Sequence, residues 1–279
     1  MLRRFCCLLL ITLFIYGSAL AQNKVRMGCV TFAKETTKIA FSQLRDYLAK
    51  DLQMNVELTC HTTYAGIIRD LIDDKVDVAM LSPLVLLRTQ SARRLRPLAY
   101  GIFRSSGYFS YKSVILVRQS SPFTSLRELA GKRLAFVDPN STSGYHIPKR
   151  ALQRVGVKLG DLKKVEFYGN HIDAIKALLA GQVDAAATFE DLVERNDVLA
   201  KDTRKIRRLW TSNFVIPADC FATTSKVSLP LRKKLRSALL AYFAAQRNGE
   251  VPLNKLYEGF VPGDPTLYDE LKVFLGPGL

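Results

Sequence analysis

Histidine is scarce in this 279-residue chain: only His61, His146 and His171 occur. Few places can therefore exchange a proton near neutral pH. Other signatures of catalysis are missing too. No Gly-x-Ser-x-Gly elbow presents a nucleophilic serine. No His-Glu-x-x-His helix offers a zinc site, and no glycine-rich loop of the nucleotide-binding kind follows a strand. Beyond residue 21 no run is long and apolar enough to span a bilayer, and neither an internal repeat nor a low-complexity tract is visible. Acidic residues are the minority charge, 25 against 41 Lys and Arg, which gives a formal net charge of +16. Such a field attracts anions and speeds their capture. The basic residues are scattered, with small clusters at Arg93, Arg94 and Arg96, at Arg204, Lys205, Arg207 and Arg208, and at Arg232, Lys233, Lys234 and Arg236. Solvated helix faces are the favoured reading of each cluster.

The first 21 residues stand apart from the rest. Arg3 and Arg4 precede an apolar stretch from Phe5 to Tyr16, and Gly17-Ser18-Ala19-Leu20-Ala21 follows. A basic start, a short apolar core and small residues at Ala19 and Ala21 read as an export signal over 1–21, cut before Gln22. Cys6 and Cys7 fall inside that segment and no cysteine sits at the cut, so a lipid anchor is not indicated. The mature chain is expected to be soluble and periplasmic, which argues against nucleic acid as the partner of its positive field. Cys29, Cys60 and Cys220 remain, without metal-ligand spacing. Their odd number leaves at least one free thiol in a monomer. Cys29 and Cys60 each end a predicted strand; export permits a bridge between them, and two buried thiols fit the pattern as well.

Hydrophobic periodicity then gives a regular rhythm. Strands are expected over Lys24 to Val30, Asn55 to Thr59 and Val76 to Leu81, with helices from Lys38 to Leu48, Ala65 to Ile72 and after Ser82-Pro83. A strand from Tyr111 to Val117 and a short helix from Ser125 to Leu129 follow. A second α/β run then begins: strand 133–137, helix 147–155, strand Lys164 to Tyr168, helix Ile172 to Leu179, strand Val183 to Thr188, and a helix from Asp191. Ile206 to Thr211 and Phe221 to Thr224 read as strands, and helices from Leu229 to Gln246 and Thr266 to Phe274 close the chain. Alternating β and α elements imply parallel sheets with helices on both faces. The fold class is α/β in two lobes, the first from 22–116 and 213–279, the second inserted over 117–212, with crossovers near Val117 and Ser212. Ligands of open parallel sheets bind beyond the carboxyl ends of the strands, so a cleft between the lobes is expected.

One stretch carries the chemistry. Asp138-Pro139-Asn140-Ser141-Thr142-Ser143-Gly144-Tyr145 joins the strand 133–137 to the helix that starts near Pro148. A turn from strand to helix leaves unpaired N–H groups at the helix start, and the helix dipole makes that place attractive to anions. Three consecutive hydroxyl residues add donors without adding charge. The same residues are also ordinary helix caps.

Taken in order, several stretches resemble the periplasmic phosphonate, phosphite and phosphate receptors of ABC transporters, a family of type II solute-binding proteins. They are Thr63-Tyr64-Ala65-Gly66, Val76-Asp77-Val78-Ala79, Ser82-Pro83, Tyr111, Ser121-Pro122-Phe123, Gly131-Lys132, the Asp138 to Gly144 stretch, Gly169-Asn170-His171, Val183-Asp184-Ala185-Ala186, Ile216-Pro217 and Phe260-Val261-Pro262. The resemblance spans nearly the whole mature chain and implies a two-lobed type II binding-protein fold without catalysis, cofactor or metal. It implies that Ser141, Thr142 and Ser143 cradle an oxyanion and that His171 hydrogen-bonds a phosphoryl oxygen. Tyr64 and Tyr111 would reach the ligand from the first lobe, and Asp191 and Asp219 would hold an amino substituent, with Glu190 competing with Asp191 for that place. The partners implied are a small anion and an ABC permease, the protein being a monomer. A sensory receptor coupled to a membrane histidine kinase would need the same cleft, and a hydrolase using Ser143 and His171 is the enzyme alternative. Two stretches depart from the family: Pro83-Leu84-Val85-Leu86 stands where Pro-x-x-Tyr is frequent, so Leu86 offers no hydroxyl, and the loop Thr31-Phe32-Ala33-Lys34-Glu35 is atypical.

Overall fold

A computed structural model of the chain describes residues 24–31, 35–93, 95–103, 107–190, 192, 199–245, 257–263 and 265–276. The expected export signal and Asp191 lie outside the described residues. One sheet is formed by β1 (Lys24–Val30), β2 (Asn55–His61), β3 (Val78–Leu81), β4 (Arg96–Phe103), β12 (Cys220–Thr223) and β13 (Tyr257–Pro262), in the order β13-β4-β12-β3-β1-β2. Helices α1 (Glu35–Leu52), α2 (Tyr64–Ile72), α3 (Pro83–Arg93), α6 (Leu229–Ala245) and α7 (Asp269–Leu275) accompany it. The helices bury regular stripes, as an amphipathic helix on a sheet must. In α6 the stripe is Leu231, Leu235, Ala238, Leu239 and Tyr242; in α2 it is Tyr64, Ile67 and Leu71. Among the described residues no helix is long and apolar enough to cross a membrane.

The sheet is mixed, which corrects the expectation of parallel strands. β1 pairs in parallel with β2 and β3, but β12 runs antiparallel to both β3 and β4, and β13 antiparallel to β4. β4 and β13 escaped sequence reading because each carries strand-weakening residues. β4 opens on Arg96-Pro97 and includes Gly101; β13 includes Gly259 and ends at Pro262. Gly101 is there for close packing: a Cβ would come within 2.4 Å of the Tyr257 ring.

The second sheet contains β6 (Ser113–Arg118), β7 (Arg133–Phe136), β8 (Lys164–Phe167), β9 (Ala185–Phe189) and β10 (Ile206–Thr211), in the order β10-β6-β9-β7-β8. Its helices include α4 (Ile147–Arg154) and α5 (His171–Leu179). Between the sheets, β5 (Ser110–Tyr111) and β11 (Ile216–Pro217) form a separate two-stranded antiparallel ladder. The two connecting segments run side by side: Ser212 donates its N–H to the Ser113 carbonyl at 2.9 Å, and the Ser113 N–H donates to Ser212 Oγ at 3.2 Å.

The two sheets share a device that the sequence does not display as a repeat. Arg26 at β1 grips Asp77 just before β3. Its N–H donates to Oδ2 at 2.9 Å, Nε to Oδ2 at 3.0 Å and Nη2 to Oδ1 at 2.7 Å, while the Asp77 N–H returns to the Arg26 carbonyl at 2.8 Å. Arg133 at β7 grips Asp184 before β9 in the same way, at 2.9, 3.1, 2.7 and 2.8 Å. Each pair is separated by 51 residues. Cys29 and Cys60 stand directly opposite one another in the β1–β2 register, 4.7 Å apart at Cα, and form a disulfide; Cys220 is a buried free thiol.

Candidate functional site

The carboxyl end of β7 leads into the turn that the sequence marks as a candidate anion cradle. The Asp138 carboxylate caps the turn by accepting the Asn140 N–H at 2.7 Å, and the Ser141 N–H donates to the Asp138 carbonyl at 2.9 Å. The chain then enters α4 through a widened π-helical turn, Thr142–His146. Such single-turn widenings are frequent at functional sites. Ser141 Oγ accepts the Gly144 N–H at 3.0 Å, which holds the turn shut and leaves the serine proton to point elsewhere. Only glycine fits at 144, since a Cβ would lie 2.4 Å from Val137 and 2.9 Å from Ser141 Oγ. Ser141, Thr142 and Ser143 are almost fully buried, and the N–H groups of Thr142 and Ser143 find no acceptor among the described residues. Buried unpaired donors of this kind are rare unless a ligand or water completes them.

Lobe 1 faces the cradle with aromatic hydroxyls. Tyr111, on the connecting ladder, lies beside the Ser143 side chain, and burial followed by the nearby charge of Asp219 pushes its pKa far up, so the phenol keeps its proton. Tyr64 opens α2; burial and then Asp219 raise its pKa as well. The Ser82 hydroxyl lies beside the Tyr64 phenol but falls short of hydrogen-bond geometry with it, so Ser82 Oγ is a sealed polar atom without a partner. Asp219, just before β12, retains some access to the cleft but is crowded by protein. Burial pushes its pKa up to about 6, partly offset by the Tyr257 hydroxyl, which donates to Oδ2 at 3.2 Å.

Two contacts complete the site. Thr142 Oγ1 accepts the Leu84 N–H at 2.9 Å, so the first turn of α3 in lobe 1 is bonded directly to the cradle in lobe 2. His171 is the first residue of α5, whose N-terminus Asn170 caps by accepting the Asp173 N–H at 3.0 Å. The His171 Nδ1 is 2.9 Å from Thr188 Oγ1, and its ring packs on Phe189 at 4.9 Å, which in turn packs on Tyr111 at 5.9 Å.

The structure thus gathers Ser141, Thr142, Ser143, Tyr64, Tyr111 and Asp219 at one interlobe cleft and ties His171 to them through Phe189. Asp191 is outside the described residues. Sequence reasoning missed Tyr257 and the Leu84 N–H. Tyr257 lies in the unassigned β13, and a backbone donor on a distant helix leaves no mark in the sequence. Leu86, the departure from the family pattern, is fully buried in an apolar cluster with Tyr64, Val85 and Ile147, so an apolar wall stands behind Tyr64. No group of three or more His, Cys, Asp or Glu able to hold a metal occurs among the described residues.

Two α/β sheets joined by a short ladder, with uncharged donors converging between them, define a two-lobed solute receptor of the type II periplasmic binding-protein class. The sequence profile of the periplasmic substrate-binding proteins of phosphonate ABC transporters matches residues 30–268, and the chain belongs to that family. A phosphate-import protein of Mycolicibacterium smegmatis is 27% identical over 238 residues, which cover 81% of this chain and 72% of that protein. The phosphonates-binding periplasmic protein of Escherichia coli is 26% identical over 228 residues, covering 79% and 67%. The binding-protein component of a Pseudomonas aeruginosa ABC phosphonate transporter has the same fold, with a TM-score of 0.78 at 21% identity, over 91% of this chain and 85% of that one.

Proposed function

We propose that the chain captures a small phosphorus oxyanion, a phosphonate, phosphite or phosphate, in the interlobe cleft and hands it to the permease of an ABC transporter. The observation that supports this most directly is the donor set: the unpaired Thr142 and Ser143 amides and the hydroxyls of Ser141, Thr142, Ser143 and Tyr111 meet across the cleft. Preorganised neutral donors solvate an oxyanion without burying a counter-charge. His171 would donate to a phosphoryl oxygen from the far side. The relatives point the same way, one being named for phosphate and the other for phosphonates. Residues 1–21 would direct export, consistent with a Cys29–Cys60 disulfide, which persists in an oxidising compartment. The receptor would act as a monomer, its lobes hinging at the β5–β11 ladder and the Ser113–Ser212 contact.

Asp219 selects among oxyanions in this scheme. Its carboxylate is an acceptor, and a phosphorus oxyanion near neutral pH carries a P–OH proton to satisfy it. Sulfate carries none, and two facing lone pairs inside a protein cost about 1–3 kcal/mol. Phosphite, phosphate and methylphosphonate are therefore expected to bind roughly tenfold or more tightly than sulfate. The apolar wall at Leu86 favours a small or apolar substituent on phosphorus. Competition calorimetry at constant ionic strength tests this. Sulfate binding as tightly as every phosphorus ligand would overturn it.

A further inference from the structure

Helix α4 carries the cradle on its N-terminal side, yet residues of lobe 1 hold it along its length. At its start, Ile147 is fully buried in the cluster that contains Val85, Leu86, Leu271 and Phe274. At its end, the Arg154 guanidinium sits 4.1 Å above the centroid of the Phe274 ring and makes a long hydrogen bond of 3.5 Å to the Phe274 carbonyl. Phe274 also packs on Phe214 at 4.5 Å, in the segment that returns the chain from the second sheet. The helix that bears Phe274, α7, is fixed to lobe 1: Leu271 and Tyr268 are fully buried, and the Tyr268 ring lies 5.7 Å from that of Tyr100 in β4. Neither Arg154 nor Phe274 belongs to the anion site.

We infer that the C-terminal helix α7 is a closure clasp, and that Arg154 and Phe274 are positioning residues for ligand capture that act through α4. The inference rests on the proposal that the lobes close on a small anion. When the cleft opens, α4 moves with lobe 2 while α7 stays with lobe 1, so the Arg154–Phe274 contact exists only in the closed form. Apparent affinity scales with the fraction of molecules able to close. A contact made only on closing therefore tightens binding and slows release without touching the ligand. A partly desolvated cation–π pair is strong enough to matter on that scale.

The test compares wild type, Arg154→Ala, Arg154→Lys, Phe274→Leu and the Arg154→Ala/Phe274→Leu double variant. The probes are methylphosphonate and inorganic phosphate, read by calorimetry and by stopped-flow release using the fluorescence of Trp210. Arg154→Ala and Phe274→Leu should each weaken binding roughly threefold to tenfold. The loss should appear as faster release at an unchanged association rate, with Arg154→Lys retaining most of the affinity and the double variant no weaker than the worse single. Arg154 is solvent-exposed in part, so Arg154→Ala should leave ligand-free melting unchanged and keeps the test valid even if Phe274→Leu disturbs α7. Wild-type affinity in Arg154→Ala, fully additive losses, or a loss matched by lower ligand-free melting would overturn the clasp alone. A wild type that binds neither probe would overturn the ligand proposal and the clasp with it.

Discussion

Asp219 repels an anion at short range unless a proton lies between them. Its pKa, pushed up to about 6 by burial, places that proton within reach of physiological pH. The same shift has a consequence for the empty receptor. Below the ordinary carboxyl value near 3.9 the group is neutral in both folded and unfolded chains and costs nothing. As pH rises through about 6 the folded protein must hold a charge in a poorly solvated place, and stability is lost. Asp219→Asn should therefore stabilise the ligand-free protein by about 1–2 kcal/mol at pH 7.5, allowing for the solvent that reaches the cleft, and by nothing at pH 4. Urea melts at the two pH values measure this, and an Asn variant less stable at pH 7.5 would refute the assignment. The hydroxyls of the cradle differ in what they hold. Ser143→Ala removes a donor beside Tyr111, and should weaken methylphosphonate binding roughly tenfold to a hundredfold. Thr142→Ala also strands the Leu84 N–H, so its loss should be the larger. If calorimetry finds both variants, properly folded, binding like wild type, the cradle lies elsewhere.

At the scale of elements, what could be read from the sequence was what is local. The run from Asp138 to Gly144 announces a strand-to-helix turn rich in donors because each of its residues acts on near neighbours: Asp138 on Asn140, Ser141 on Gly144. β4 and β13 were hidden because Pro97, Gly101, Gly259 and Pro262 weaken strand propensity, and only antiparallel pairing with β12 and with each other settles them. The paired Arg–Asp grips were invisible for another reason. Their partners are 51 residues apart, and no single pair looks unusual. The signal was the coincidence of Val-Asp before β3 and β9 with an arginine at or near the start of the parallel neighbour, Arg26 as the third residue of β1 and Arg133 as the first of β7. Each grip binds two strands of one sheet, so each should stabilise its own lobe. Arginine holds the Asp184 pKa down at about 2 through its hydrogen bonds. That stabilisation is fully present above the ordinary carboxyl value and is lost as pH falls through about 2. Asp184→Asn should lower stability at pH 7 by about 1–3 kcal/mol, with the deficit closing as pH approaches 2. Asp77→Asn, at a more buried carboxylate, should cost lobe 1 at least as much. Hydrogen exchange resolved by region checks both, and uniform loss across both sheets from either variant would contradict lobe-specific grips.

The whole molecule is two cores with little chain between them. Each sheet has apolar clusters on both faces, and the lobes are joined by the β5–β11 ladder and the Ser113–Ser212 pair. Among the described residues the contacts across the cleft include Leu84 N–H to Thr142, Arg88 to Asn140 Oδ1 at 3.2 Å, Ile147 seated in the cluster of lobe 1, Arg154 over the Phe274 ring, and Phe189 against Tyr111. Such contacts between two independently packed bodies permit rigid-body opening, the hinge motion by which such receptors admit a ligand. A ligand held in the proposed site would meet donors on both sides, so it would bind the closed form better and shift the population towards it. The single tryptophan reports on that shift. Trp210 packs partly against the cluster of lobe 1 that holds Ile147 and partly against the cluster of lobe 2 that holds Phe136, so opening changes its surroundings. Saturating methylphosphonate should reduce the radius of gyration seen by small-angle scattering, at a molecular mass of one chain, and shift the Trp210 emission over the same concentration range. Neither signal should respond to an equal concentration of chloride. A bound ligand, proven by calorimetry, that leaves both scattering and emission unchanged would mean that the cleft binds without closing, and the hinge would have to be abandoned.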